Sequence, residues 1–212
     1  MRCYIGYDPR QPIAFQVCAQ SVWEHASKPV EIVRLDLRTL PITRRGLTEF
    51  TYSRFLVPYL SNYEGYSLFL DSDILVRGDV CEMPKFNGVN IVKGERKFEW
   101  ASVMLFDNSM FKHLTPIYID NPVNRMYDWA WCEEMNALPK EWNHLVGYDA
   151  PNPNAKIVHY TMGIPIWEET KNCEFAQEWR DTYRRMNSSV SFNELMGQSV
   201  HVPHLEKLKV TQ

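Results

Sequence analysis

Two aspartates separated by one serine interrupt an apolar stretch at residues 67–76, which reads Ser-Leu-Phe-Leu-Asp-Ser-Asp-Ile-Leu-Val. We predict that Leu68–Leu70 form a buried strand, with Asp71 and Asp73 at its carboxyl end. Open α/β sheets bind their ligands at this end of the strands. Because neighbouring carboxylates repel each other unless a cation lies between them, the pair favours a divalent metal and a phosphate-bearing substrate. The alternative is a solvated Asp-Ser-Asp turn.

Strand-like runs alternate with helical patterns along the chain, which predicts an α/β fold with a mainly parallel central sheet flanked by helices. The predicted strands are Arg2–Gly6, Val30–Leu35, Leu68–Leu70, Val89–Val92, Ser102–Phe106 and Lys156–Tyr160. The predicted helices are one that begins near Pro12, Glu49–Leu60, Asn124–Ala137 and Cys173–Met186. We place one domain in residues 1–186, and we assign residues 187–212, where periodicity is weak, to a C-terminal tail or a linker to an absent domain.

The composition suits a single enzyme-sized domain. The chain has 212 residues, 45% of them hydrophobic, which is enough for one sizeable core. Its net charge is −3 with acids and bases intermixed, so we predict no nucleic-acid partner. Aromatic residues make up 13% of the chain, and aromatic faces suit stacking on bases and sugar rings. The five cysteines are scattered without a Cys-x-x-Cys pair, which argues against a disulfide framework and fits a reducing compartment.

The sequence carries no pattern typical of export or membrane insertion. Met1 is followed almost directly by a predicted strand, so we expect no signal peptide. No apolar run approaches the roughly 20 residues that a membrane-spanning helix needs. We therefore expect a cytoplasmic protein without a transmembrane segment.

His159 closes the late predicted strand Lys156–Tyr160. A histidine at a strand end is often only a satisfied polar residue. Beside an aspartate pair, however, one imidazole would complete a set of three protein ligands. Carboxylates with one imidazole suit Mn²⁺ or Mg²⁺, and the histidine favours Mn²⁺.

Arg54 lies within an otherwise apolar helical face in the segment 51–60. A buried arginine needs a partner. One interpretation is a structural ion pair, with Asp71 as the candidate partner. The other is that the guanidinium binds a phosphate or a sugar hydroxyl through its planar fork of donors.

Two further segments offer groups for binding or chemistry. At the end of the first strand, Tyr7 can stack on a base and Asp8 can accept from a base N–H, although the same residues suit a plain Asp-Pro turn. The segment Asp128–Glu134 places several carboxylates among tryptophans. For most of its members, an exposed acidic helix face with buried tryptophans is the alternative.

Six segments together, in this order, resemble the GT-A nucleotide-sugar glycosyltransferases, most closely the family-8-like group that includes glycogenin and bacterial lipopolysaccharide galactosyltransferases. These segments are Ile5–Asp8, Thr51–Phe55, Leu70–Val76, Ser102–Asp107, Leu138–Asn143 and Lys156–Tyr160. The resemblance spans residues 2–168. The chain also resembles, more weakly, a large-virus sugar transferase domain, which would place it in the cytoplasm of a host cell.

The resemblance implies a single GT-A domain over residues 1–186 that binds Mn²⁺ through Asp71, Asp73 and His159. It implies that Tyr7 and Asp8 face the uracil of a UDP-sugar and that Arg54 contacts the donor near its sugar or phosphate. The donor-binding residues that it implies are Gly6, Tyr7, Asp8, Arg54, Asp71, Ser72, Asp73 and Gly163.

The implied activity is metal-dependent transfer of a hexosyl or deoxyhexosyl group from a UDP-sugar to an acceptor hydroxyl, on a glycan and with retention of configuration. Asp128, Glu133 and Glu134 are the candidate catalytic carboxylates. The chain departs from the family in one segment, because residues 159–167 contain no lysine before the proline. Neutralisation of the diphosphate then rests on the metal, on Arg54 or on a basic residue elsewhere, such as Lys171.

Two alternatives remain open. The first is a sugar-nucleotide-binding module without turnover. The second is a haloacid-dehalogenase-like phosphatase with Asp71 as its nucleophile. In such phosphatases, however, the Asp-x-Asp motif closes the first strand and a Gly-Asp-x-x-x-Asp run follows downstream. In this chain the motif lies about seventy residues in and no such run follows.

Overall fold

The strands and helices belong to a computed structural model of the chain, which describes residues 1–186 and 195–197. The strands are β1 (Arg2–Gly6), β2 (Glu31–Leu35), β3 (Tyr66–Leu70), β4 (Ile74–Val76), β5 (Val89–Ile91), β6 (Val103–Asp107), β7 (Met135–Ala137), β8 (His144–Leu145) and β9 (Ile157–His159). The helices are α1 (Pro12–His25), α2 (Val57–Leu60), α3 (Pro116–Asp120) and α4 (Ala176–Arg185).

The central sheet has six strands in the order β2-β1-β3-β6-β5-β7. β1 runs parallel to both β2 and β3, and β5 runs parallel to β7. β6 lies antiparallel between β3 and β5. The predicted α/β class with a mainly parallel sheet is confirmed, and the antiparallel β6 brings its amino end to the carboxyl end of β3.

A second sheet of three strands has the order β4-β9-β8. The Asp-Ser-Asp segment is the connection from β3 in the large sheet to β4 in the small one. β4 pairs antiparallel with β9, and this register places Ile74 opposite His159. The pairing continues past the strand, where the Tyr160 amide donates to the Asp73 carbonyl at 2.9 Å. This sheet therefore holds His159 beside the aspartates.

Side chains of β1 and β3 alternate between two apolar layers, as expected for a sheet covered on both faces. Phe69 packs into a layer rich in aromatic rings, whereas Leu68 and Leu70 pack into a second layer that contains Cys18 and Val22 of α1. Burying each large apolar side chain stabilises the fold by about 1.5–3 kcal/mol. The rigid end of β3 therefore lies between two packed layers.

α1 begins at Pro12, as predicted. Proline is favoured in the first turn of a helix, where its missing N–H costs nothing. The segment 49–60 is less helical than predicted. It forms turns, then a 3₁₀ segment at Ser53–Leu56, and only then α2. Pro58 lies in the first turn of α2, so the α-helix can begin there but cannot extend back through the proline.

The predicted helix at Asn124–Ala137 is wrong. The chain forms a 3₁₀ turn at Met126–Asp128 that ends at Trp129 with φ 64°, and it then enters β7. The Trp129 and Trp131 rings pack with Phe55 in the aromatic layer. Tertiary packing and pairing with β5 thus override the apolar pattern that indicated a helix.

The predicted tail or linker at 187–212 lies outside the described residues, apart from 195–197. Within the described part of the chain, no helix is long and apolar enough to span a bilayer.

Candidate metal and nucleotide site

Asp71, Asp73 and His159 converge beyond the carboxyl end of β3. Each offers one ligand atom, and these atoms all lie within 4.8 Å of one another. Asp71 is positioned by its amide, which donates to the Ser102 carbonyl at 2.9 Å and so extends the β3–β6 pairing by one residue. We call these three residues the Asp-Asp-His cluster.

The chemistry of the cluster fits a hard divalent cation. Asp71 and His159 are buried, and Asp73 Oδ1 lies 3.4 Å from His159 Nε2. Asp71 Oδ1, Asp73 Oδ1 and His159 Nδ1 are shielded from solvent and make no hydrogen bond, although the two carboxylate oxygens have ion-pair contacts with Arg54 and His159. Polar atoms shielded from water without a hydrogen bond are costly in a folded protein. Two carboxylates with one imidazole form a donor set that suits Mn²⁺ or Mg²⁺.

Arg54 forms an ion pair with Asp71, as the first of the two interpretations of this residue predicted. Its Nη2 lies 2.9 Å from Asp71 Oδ1, and its Nη1 donates to Asp71 Oδ2 at 3.4 Å. The same guanidinium donates to the Phe50 carbonyl at 3.2 Å and to the Ala101 carbonyl at 2.8 Å. Its side chain is 3% exposed, so these protein groups use most of its donors. Contact between Arg54 and a sugar donor stays a prediction.

The pKa values of the cluster reflect its burial and its negative charge. Burial raises the pKa of Asp71 to about 7. Arg54 opposes this shift, and Asp73 and Glu99 add to it. For His159, burial alone would lower the pKa, but the carboxylates of Asp73, Asp71 and Glu99 outweigh burial and raise it. A bound cation would relieve the repulsion among these carboxylates.

Glu99 is the acidic neighbour that the sequence analysis missed. Its Oε2 lies 3.8 Å from His159 Nδ1, on the opposite side of the imidazole from Asp73. Glu99 belongs to the 3₁₀ segment Lys97–Ser102 that leads into β6. Its only signal in the sequence is that it is an acid just before a strand. It reaches the cluster because β6 runs antiparallel to β3.

Gly6, Tyr7 and Asp8 lie at the carboxyl end of β1, next to β3. The Cζ atom of Arg34 lies 4.6 Å from the centroid of the Tyr7 ring, and the Asp8 carboxylate pairs with Arg10 at 2.5 Å. One face of the tyrosine is thus already covered by a cation. Stacking of Tyr7 on a base and acceptance by Asp8 from a base N–H stay predictions.

Two of the predicted donor-binding residues have clear backbone roles. A Cβ on Gly6 would lie 2.4 Å from the Phe50 ring, so the close approach of this ring requires glycine there. Gly163 has φ +108° in the turn that follows β9, and its amide donates to the Tyr160 carbonyl at 2.8 Å. Ser72 is buried between the two aspartates. Binding of a nucleotide by these three residues stays a prediction.

Asp128 is exposed, and its carboxylate pairs with Arg125 at 3.0 Å. Its backbone carbonyl accepts from Lys97 Nζ at 3.3 Å, and Lys97 lies two residues before Glu99. The structure therefore places Asp128 against the segment that carries Glu99, but it does not bring the Asp128 carboxylate into the Asp-Asp-His cluster.

Glu133 and Glu134 are exposed and precede β7. The Glu134 carbonyl accepts from the Val89 amide at 2.9 Å, at the amino end of β5. Since β5 runs in the same direction as β3, these acids lie beside the amino ends of the two strands, about 13 Å along the strand direction from Asp71. The structure does not bring these two predicted catalytic carboxylates to the cluster.

Comparison with solved structures defines the class of fold. WbbM, a bifunctional glycosyltransferase, superposes with a TM-score of 0.68 and 16% identity, over 98% of this chain and 51% of that chain, so this chain spans about half of WbbM. The galactosyltransferase LgtC, in complex with donor and acceptor sugar analogs, superposes with a TM-score of 0.62 and 13% identity, over 91% of this chain and 98% of that chain. GlyE of Streptococcus pneumoniae TIGR4 superposes with a TM-score of 0.63 and 16% identity, over 92% of this chain and 62% of that chain. The fold is that of the GT-A glycosyltransferases.

No family model matches this sequence. The chain is, however, 32% identical over 226 residues to Protein CDI of Arabidopsis thaliana, a match that covers 88% of this chain and 87% of that protein. The chain therefore belongs to the same family as Protein CDI. The finer family-8-like placement and the large-virus resemblance stay predictions.

Proposed function

We propose that this protein is a metal-dependent glycosyltransferase that transfers a sugar from a UDP-sugar to a hydroxyl group of an acceptor glycan. The observation that carries this proposal is the Asp-Asp-His cluster, which lies at the carboxyl end of a central strand in a GT-A fold. Ligands of open α/β sheets bind at that end. The structure of LgtC with donor and acceptor sugar analogs supports sugar transfer as the use of this fold.

Asp71, Asp73 and His159 would hold the cation, with Mn²⁺ as our proposed metal and Mg²⁺ as its substitute. When bound, a divalent cation supplies Lewis-acid stabilisation of the departing diphosphate. The protein groups around it provide orientation. Arg54 holds the Asp71 carboxylate through contacts at 2.9 Å and 3.4 Å, and the imidazole of His159 lies between Asp73 and Glu99. Such supporting contacts fix the direction in which metal ligands point.

We further propose that transfer proceeds with retention. Retention requires either a carboxylate nucleophile or attack by the acceptor on the same face of the sugar from which the leaving group departs. The positions of Glu133 and Glu134 at the other edge of the sheet argue against them as the nucleophile. Asp128, against the segment that carries Glu99, remains the carboxylate to test, and attack from the leaving-group face is the route if it is dispensable.

The decisive experiment measures release of UDP from a panel of UDP-sugars, with Mn²⁺ and with EDTA. We expect release from at least one donor only when metal is present. Asp73→Asn removes a charged ligand and should lower that release by at least about tenfold. Asp181→Asn is the matched control, because this half-buried carboxylate pairs with Arg184 on α4. Release at an unchanged rate in EDTA, or in Asp73→Asn, would contradict the proposed site.

A sugar-nucleotide-binding module without turnover is the second candidate. The observation that favours it is the absence of lysine from residues 159–167. Such a module would be stabilised against heat by UDP with Mn²⁺ but would release no UDP from any donor. The same panel of UDP-sugars therefore distinguishes the two functions.

A further inference from the structure

Arg96 is an exposed arginine three residues before Glu99. It lies in the connection from β5 to β6, and its carbonyl accepts from the Glu99 amide at 3.0 Å. Its Cζ atom lies 3.4 Å from the centroid of the Tyr148 ring. Among the residues that the structure describes, no carboxylate forms an ion pair with Arg96. The guanidinium is thus held over an aromatic ring with its N–H groups available.

The contacts on either side of Arg96 connect it to the two segments that carry Glu99 and His159. On one side, Glu99 Oε2 lies 3.8 Å from His159 Nδ1. On the other, the Tyr148 hydroxyl donates to Met162 Sδ at 3.2 Å, three residues beyond His159. Two sets of contacts therefore connect the segments 96–99 and 159–162, one from Glu99 to His159 and one from Arg96 through Tyr148 to Met162. Arg96 lies about one 3₁₀ turn from Glu99.

Three other cations near this edge have carboxylate partners, and Lys97 donates to the Asp128 carbonyl at 3.3 Å. Arg54 is buried and bonded to Asp71 and to two backbone carbonyls. Lys140 pairs with Asp149 at 3.0 Å, and Lys171 pairs with Glu168 at 2.6 Å. Arg96 has no such partner in the described part of the chain.

We propose that Arg96, held against Tyr148, binds the diphosphate of the nucleotide-sugar donor. This inference rests on the proposed function. A diphosphate beside the carboxylates of Asp71, Asp73 and Glu99 needs positive charge beyond that of the metal. The planar fork of an arginine binds phosphate oxygens in pairs, and stacking on an aromatic ring leaves the edges of that fork open. Stacking also reduces the rotamer freedom that Arg96 would otherwise lose on binding.

The test compares UDP with uridine, because only UDP carries the diphosphate. With saturating Mn²⁺, we expect Arg96→Gln to weaken UDP binding at least about tenfold, the effect of losing a charged hydrogen bond. Uridine binding should be unchanged. Arg96→Lys should recover part of the UDP affinity, and Tyr148→Leu should weaken UDP binding without touching the phosphate directly.

The matched control is Arg2→Gln, since Arg2 is an exposed arginine at the opposite end of the sheet, paired with Glu31. Arg96 is exposed, so its variants should melt within a few degrees of the parent protein. UDP affinity that is unchanged in Arg96→Gln, or an equal loss of UDP and uridine affinity, would overturn this inference while leaving the proposed function intact. Failure of the parent protein to bind UDP with Mn²⁺ would instead overturn the proposed function, and this inference with it.

Discussion

Asp71 is a buried carboxylate whose ionisation should destabilise the metal-free protein. Its pKa in the folded protein is about 7 against an ordinary value of 3.8, mainly because of burial. At 1.36 kcal/mol for each pKa unit, this gap corresponds to about 4 kcal/mol of unfolding free energy. Asp71→Asn removes the charge and keeps the shape. In EDTA at pH 7.5, we expect the variant to be more stable than the parent protein, but by less than about 4 kcal/mol, because the buried Arg54 guanidinium loses its carboxylate partner.

The sign of the pH dependence follows from the raised pKa. The contribution of Asp71 to stability is fully present below pH 3.8 and is lost as the pH rises through about 7. The advantage of Asp71→Asn should therefore shrink as the pH falls from 7.5 towards 4. Denaturant unfolding in EDTA, followed at several pH values, measures this difference directly. With Mn²⁺ at a hundredfold excess over its Kd, the parent protein should gain about 2.7 kcal/mol and the variant little.

Asp36→Asn is the matched control of opposite sign. Asp36 is also buried, but its hydrogen bond with Arg38 lowers its pKa. Its carboxylate also accepts from the Arg38 amide at the start of a 3₁₀ turn, so its replacement should cost about 1 kcal/mol. The reasoning is refuted if Asp71→Asn is no more stable than the parent in EDTA at pH 7.5, because the Arg54 ion pair would then fully offset the burial of Asp71.

Three further predictions concern the same region. Asp73→Asn should lower donor hydrolysis by at least about tenfold, as measured by UDP release, while leaving the metal-free melting temperature unchanged or higher. Arg54→Lys should destabilise the protein by about 1–3 kcal/mol in urea unfolding, because lysine cannot reproduce the bonds to the Phe50 and Ala101 carbonyls; an unchanged midpoint would contradict this. Gly6→Ala should cost about 1–3 kcal/mol in the same assay, since its Cβ would clash with the Phe50 ring; full stability would show that the ring yields easily.

The elements that the sequence predicted well are those with strong local signals. β1 has the predicted bounds, and α1 begins at Pro12 as expected. Their signals are local, because a short apolar run bounded by turn residues marks β1 and a proline marks the first turn of α1. The segment 124–137 failed because its aromatic residues are buried from a non-helical backbone. The spacing of apolar residues alone does not distinguish a helix with one buried face from a non-helical segment with buried aromatic rings.

The candidate metal ligands were found because each closes a predicted strand, and the carboxyl ends of strands are where ligands bind. The supporting groups were not found in the same way. Glu99 and Arg96 have no motif. Glu99 reaches the cluster through the antiparallel placement of β6, and the Tyr148 ring that holds Arg96 contacts Met162 in the turn after β9. Likewise, the parallel pairing of β7 with β5, which leaves no signal in the sequence, places Glu133 and Glu134 at the opposite end of the strands from the cluster.

The sequence by itself determined the class of fold, the end of β3 and the residue types of the site, because periodicity, turn chemistry and burial preference act over a few neighbouring residues. Only the tertiary structure decided that Arg54 would pair with Asp71, that His159 would lie between Asp73 and Glu99, and that Arg96 would form no ion pair with a described residue. The physical reason is that strand order and register bring together groups from distant parts of the chain, and neither leaves a local period in the sequence.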